Sequence, residues 1–147
     1  MALTGNMRIS ASLTNTLAGV DLTTPTDALS TSTSKTIASG VLYHDTATIA
    51  SSGTLTLTFN DDSLSDVFGN TIAMTTVTGI YIKAADANTV DLTITTTTNS
   101  MLPTMPALSA GEGISLLCDI DTSTDSKLNI VNGAAESNVD IIITGTE

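Results

Sequence analysis

The stretch Leu55–Phe59, LTLTF, limits what this chain can fold into more than any other part of it. Leu55, Leu57 and Phe59 alternate with Thr54, Thr56 and Thr58. A two-residue period places apolar side chains on one face of a pleated strand and hydroxyls on the other. The same alternation returns at Val90, Leu92 and Ile94 and again at Ile114, Leu116, Cys118 and Ile120. Threonine holds 29 of the 147 positions, and a β-branched polar side chain suits the solvated face of a strand. The expected class is all-β, built of antiparallel sheets with one wet face each.

After Phe59 the cluster Asn60-Asp61-Asp62-Ser63 favours a turn through side-chain to backbone hydrogen bonds, and Gly69-Asn70 tolerates positive φ. Leu64, Val67 and Phe68 fall at helix-like spacing, which predicts a single helical turn closed by Gly69. An extended pattern resumes at Val77–Lys83, with Ile80 and Ile82 on one face and Tyr81 and Lys83 on the other. Earlier, Ile37–Ile49 predicts one bent strand or two short ones, and later AADAN (84–88) predicts a hairpin loop. The terminal VDIII, apolar on both faces at Ile141–Ile143, predicts a central or covered strand, because an exposed edge of that composition invites aggregation. About eight strands spaced near ten residues predict a β-sandwich of jelly-roll-like form, with a single-sheet barrel as the alternative.

The first 34 residues read differently. Met7, Ile9, Ala11 and Leu13 share one parity, but the segment to Ser34, with Gly19, Pro25 and the run STSTS, carries little apolar surface to offset ordering entropy. Residues 1–34 are therefore expected to form an extended N-terminal arm, or a frayed terminus, and residues 35–147 a single β-sandwich domain. In NSMLPTMPALSAGEG (99–113), Pro103 and Pro106 forbid a central strand, while Met101, Leu102, Met105 and Leu108 are too apolar for a bare loop. They either fold back as a lid over one end of the domain or meet another subunit or a partner as an adaptable methionine-rich patch.

Charge narrows the partners. Four basic residues against fifteen acidic ones give a net charge of −11, and Arg8, Lys35, Lys83 and Lys127 are too scattered to form a phosphate-binding stripe, so nucleic acid is not an expected partner. The acidic surface equally serves solubility alone. One cysteine excludes an intramolecular disulfide, and its place in the alternation makes Cys118 a small buried apolar residue. MALTGNMRIS predicts no secretion signal, and no apolar run approaches membrane-spanning length, so no membrane partner is expected.

No arrangement of residues points to catalysis. His44 is the single histidine, and its neighbour Asp45 points to the other face of a strand, which makes a triad-type bond awkward. The spacing favours a structural hydrogen bond at His44 instead. Asn60, Asp61, Asp62 and Asp66 offer oxygens to calcium, but the alternating acidic loop pattern is missing and solvated turn residues explain them as well. Four aromatic residues, Tyr43, Phe59, Phe68 and Tyr81, are too few to line a sugar-hydrolase cleft. The expectation is a protein that is not an enzyme and carries no cofactor.

The segments LYHDTATIASSGTLTL (42–57), LSDVFGNTI (64–72), GIYIKAADAN (79–88) and DIIITGTE (140–147) resemble small head decoration, or cement, proteins of tailed bacteriophages. The resemblance covers most of residues 42–147 and rests on strand and turn signatures. Similar phage proteins often carry a proline-glycine-glycine turn before their penultimate long strand, where this chain has Gly111-Glu112-Gly113. It implies a β-sandwich made in the host cytoplasm and carried on the outer surface of the virion capsid. There it would contact the major capsid protein and its own copies, as a trimer first and a dimer second. The expected contacts are Met7, Ile9 and Leu13 on the arm and Met101, Leu102 and Met105 in the Pro-Met segment. A phage tail or fibre module that binds a host receptor or glycan is the alternative. A bacterial surface module fits less well without a secretion signal.

Overall fold

A computed structural model describes residues 3–13 and 29–147, with side chains from residue 40 onward. Ten strands run in order: β1 (Leu3–Leu13), β2 (Leu29–Ile49), β3 (Thr54–Thr58), β4 (Leu64–Ser65), β5 (Thr71–Ile72), β6 (Thr76–Ala84), β7 (Leu92–Ile94), β8 (Gly113–Asp121), β9 (Lys127–Asn132) and β10 (Ser137–Thr146). Among the described residues there is no helix. The strands form a five-stranded sheet ordered β1-β2-β10-β6-β8, a three-stranded sheet β3-β9-β7 and the small pair β4-β5, all antiparallel.

From β2 onward the long strands alternate between the two larger sheets. β2, β6, β8 and β10 belong to one, and β3, β7 and β9 to the other. The expected hairpin at 84–88 is therefore a crossover: β6 and β7 lie in different sheets. Asn88 secures that crossover against β10, donating from its carboxamide to the Asn138 carbonyl at 2.9 Å and accepting the Asn138 amide at 2.9 Å. Asn132 does the same at another corner. Its Nδ2 donates to the carbonyls of Ile49 (2.9 Å), Ala50 (3.0 Å) and Ala135 (2.6 Å), tying the end of β9 to the end of β2.

Both larger sheets fill one hydrophobic cluster. Tyr43, Ile80, Ile82, Val139, Ile141 and Ile143 come from the five-stranded sheet, and Leu57, Leu92, Ile94, Leu128 and Ile130 from the three-stranded one. Phe59 is fully enclosed and meets the Tyr43 ring edge-on, with centroids 5.5 Å apart at 85°, a preferred aromatic geometry. β10 is central, as its two-faced apolarity requires: it shares ten consecutive rungs with β2 and pairs with β6 on its other edge.

Two further expectations are corrected. Leu64–Asn70 forms no helical turn; it is a two-rung hairpin, Leu64 opposite Ile72 and Ser65 opposite Thr71, whose tip leaves Val67 and Phe68 exposed. The Asp66 carboxylate captures the tip amides and so outweighs the helix-like spacing. The even alternation along β8 breaks, because the β6–β8 register shifts between Val77 and Gly79. Cys118 falls in that shift, half-buried rather than buried, its thiol donating to the Val77 carbonyl at 3.5 Å. β2 itself runs without interruption from Leu29 to Ile49. Pairing with β1 gives one edge of its polar stretch, Leu29–Ser34, backbone hydrogen-bond partners.

Candidate interaction surface

β2 passes its last shared rung with β10 at Gly40 and extends eleven residues further, Leu29–Ser39, with β1 as its hydrogen-bonded neighbour. From Gly5 opposite Ile37 to Leu13 opposite Leu29 the register is unbroken. At about 3.3 Å per residue this two-stranded ribbon is roughly 35 Å long. Of the expected arm, residues 3–13 and 29–34 are strands paired with each other. Met7, Ile9 and Leu13 lie on β1 opposite Lys35, Thr33 and Leu29; their side chains are outside the described residues.

The Pro-Met segment closes the edge of the three-stranded sheet. Leu92 and Leu108 exchange backbone hydrogen bonds at 3.0 and 2.7 Å, and the Met105 amide donates to Ile94 at 3.0 Å. At its start the Met101 amide donates to the Lys127 carbonyl, and the Lys127 amide to the Asn99 carbonyl, both at 2.8 Å. These bonds carry Met101 and Leu102 into the core, where both are buried, while Met105 is half-buried at the surface. An open cleft of about 440 Å³ separates this segment from β8, lined by Leu102, Pro103, Met105, Ile114, Ser115 and Leu116. The backbone of β1 also passes close to β8.

The polar outer face of the five-stranded sheet carries His44, whose Nε2 lies 2.9 Å from Asp140 Oδ1, an oxygen that also accepts the Thr46 hydroxyl at 3.2 Å. Asp45 turns the other way and accepts the Tyr43 hydroxyl at 3.2 Å. Burial first, and then the Asp45 charge and hydrogen bond, raise the Tyr43 phenol well above its ordinary value of about 10. Asp61 and Asp66, considered for calcium, bond to their own turns: Asp61 accepts the Ser63 amide at 3.1 Å and Asp66 the Phe68 amide at 2.9 Å. Among the described residues no three metal-ligating side chains converge, and no helix is long and apolar enough to cross a membrane.

Val67 and Phe68 were missed as surface residues. Phe68 is 59 % exposed and Val67 44 %. Their signal was present in the sequence as Asp66 followed by Gly69-Asn70, a pattern in which one carboxylate closes a tight loop on itself. No known protein family, characterised protein or solved structure matches the chain.

Proposed function

We propose that this chain is a head decoration (cement) protein of a tailed bacteriophage. In this reading it is an antiparallel β-sandwich of jelly-roll-like form that binds the major capsid protein on the outer surface of the virion. It acts as a homo-oligomer, a trimer before a dimer. The sandwich reading is supported by the alternation of successive strands between two sheets that share one core. The observation that carries the functional reading is the ribbon formed by β1 and Leu29–Ser39. A paired arm about 35 Å long reaches beyond its own sheet and suits a protein that must span more than one subunit of a lattice. Binding across several subunits stabilises only the shell state that presents them together, which by linkage strengthens the mature form. The −11 charge fits a place outside a DNA-filled shell better than one inside it.

The test is co-sedimentation of the purified protein with undecorated phage heads, comparing expanded shells with unexpanded precursors. Saturable binding to expanded shells is expected. A variant lacking residues 1–34 retains all ten rungs between β2 and β10, so it is expected to fold while its affinity for shells falls at least tenfold. Unchanged affinity would remove the arm from the contact. Binding to neither shell would overturn the decoration reading in favour of the tail or fibre module.

A further inference from the structure

We infer that the β4–β5 hairpin tip, Val67-Phe68, is a docking element whose socket on the partner is an apolar pocket rimmed by lysine or arginine. This rests on the decoration reading and takes the partner to be the shell protein.

Exposure is the first argument. Val67, Phe68 and Leu116 are the large apolar side chains left open among the described residues, and Phe68 is the most exposed of them, in a chain with only four aromatic residues. A single exposed aliphatic residue is ordinary, but an adjacent phenylalanine and valine at the tip of a short hairpin form a compact anchor of the kind that dominates protein interfaces.

Rigidity is the second. The Asp66 carboxylate accepts three hydrogen bonds from the loop: the Phe68 amide at 2.9 Å, the Asn70 amide at 2.8 Å and the Asn70 side chain at 3.0 Å. Backbone bonds close it further, Asp66 N–H to Asn70 at 2.8 Å and Gly69 N–H to Asp66 at 3.0 Å. Gly69 holds φ at +85°, a region that favours glycine. The Val67 amide donates to the Leu42 carbonyl at 3.1 Å, which pins the tip to β2. An anchor already held in place loses little conformational freedom on binding.

Charge selects the occupant. Asp61 and Asp62 are exposed at the base of the same hairpin, and no lysine or arginine occurs between Lys35 and Lys83. Two copies, each carrying a net charge of −11, repel one another, which disfavours a second copy as the occupant. Among the described side chains the lysines are Lys83 and Lys127, and Lys83 is already paired with Asp86 at 3.1 Å. The complement is a different protein with basic groups around an apolar pocket.

The experiment measures binding of the full chain to expanded shells at low and high salt, with sedimentation velocity on the free protein. Variants are Phe68→Ala and the double change Asp61→Asn, Asp62→Asn, which keeps an acceptor for the Ser63 amide. Phe68→Ala is expected to leave the melting temperature and the oligomer unchanged while weakening shell binding by roughly thirtyfold or more. The asparagine pair is expected to weaken it several-fold at low salt, with the difference vanishing at high salt. Wild-type binding that Phe68→Ala does not weaken would overturn the inference while leaving the decoration reading intact. Dissociation of the free oligomer by Phe68→Ala would also overturn it, because the tip would then be packed on a second copy. Failure of the wild type to bind shells removes the decoration reading and this partner with it.

Discussion

β10 and β8 lie in the same five-stranded sheet and carry similar runs of aliphatic residues, yet the protein buries one and leaves the other half open. Val139, Ile141 and Ile143 of β10 are fully enclosed. No residue of β8 is buried, and Leu116 is 38 % exposed. The difference lies in the neighbours. β10 is paired on both edges, by β2 and β6, and its Val139, Ile141 and Ile143 share one hydrophobic cluster with residues of the three-stranded sheet; β8 pairs with β6 alone, at the end of the sheet order. Burial in a sheet follows from position and packing more than from intrinsic preference.

The largest expected effect tests the buried side of this contrast. Ile141 sits between Asp45 on β2 and Ile82 on β6, in the middle of the core. Ile141→Ala should destabilise the fold by about 2–5 kcal/mol. For a domain of this size that lowers the melting temperature by roughly 10 °C. A loss below about 1 kcal/mol would mean that the core collapses around the cavity, and the centre would then be no more constrained than the edge.

The next effect sharpens where the enclosed region ends. Asn132 is buried and donates to three carbonyls at the corner where β9 meets the end of β2. Asn132→Ala strips that donor from the group and should cost about 1–3 kcal/mol. Asn132→Asp should be worse at neutral pH, since a carboxylate would face those oxygens, and it should recover as pH falls and the carboxyl becomes a donor. Denaturant midpoints at pH 7 and pH 4 measure both. Equal loss in the two variants at both values would show that the corner is wet and carries little.

Much of this contrast was legible in the residues, and its limits have physical causes. Ile141–Ile143 is apolar on both faces, which marks a strand with cover on each side, and β10 is central. Leu55–Leu57 and Leu92–Ile94 alternate cleanly, and both lie in strands whose apolar residues face inward. β8 alternates in sequence at Ile114, Leu116, Cys118 and Ile120 but is interrupted by Leu117, and the register shift against β6 at Thr78 is a property of the pairing. The crossover at 84–88 looked like a hairpin because local turn chemistry does not say in which sheet the next strand will lie. Of the expected contact residues, Met101 and Leu102 proved to be core, which their apolarity beside two prolines allowed as a lid. Phe68 was hidden by a helix-like spacing that the Asp66 carboxylate overrides.

A smaller effect concerns the enclosed face of β2. Tyr43 lies under Phe59, and both burial and Asp45 oppose its phenolate, so the folded phenol holds its proton well beyond the ordinary range. The unfolded tyrosine ionises near pH 10. This group's contribution to stability is therefore fully present below pH 10 and is lost as pH rises above it. Tyr43→Phe removes the hydroxyl and its 3.2 Å bond to Asp45, a loss of about 1 kcal/mol or less at pH 7. Above pH 10 the wild type should lose stability faster than the variant, so that the gap closes. Parallel curves from pH 8 to 11 would place the Tyr43 hydroxyl in water.

The smallest expected effect decides whether the edge is truly an edge. Leu116 stands opposite Ile80 on β6 and borders the cleft beside Met105. Leu116→Thr keeps a strand-favouring side chain and removes apolar surface that is already partly in water. The expected loss is below about 1 kcal/mol, a shift of no more than a few degrees. A loss as large as that of Ile141→Ala would mean that β8 is covered in solution. Two occupants are then at hand: β1, whose backbone already passes near β8, and a second copy of the chain. They separate by mass action, since cover from the same chain leaves the melting temperature independent of protein concentration, whereas cover from another copy raises it as concentration rises. With a small loss and no concentration dependence, β8 is an open edge in the free protein, and the contrast with β10 stands as one of position within a single sheet.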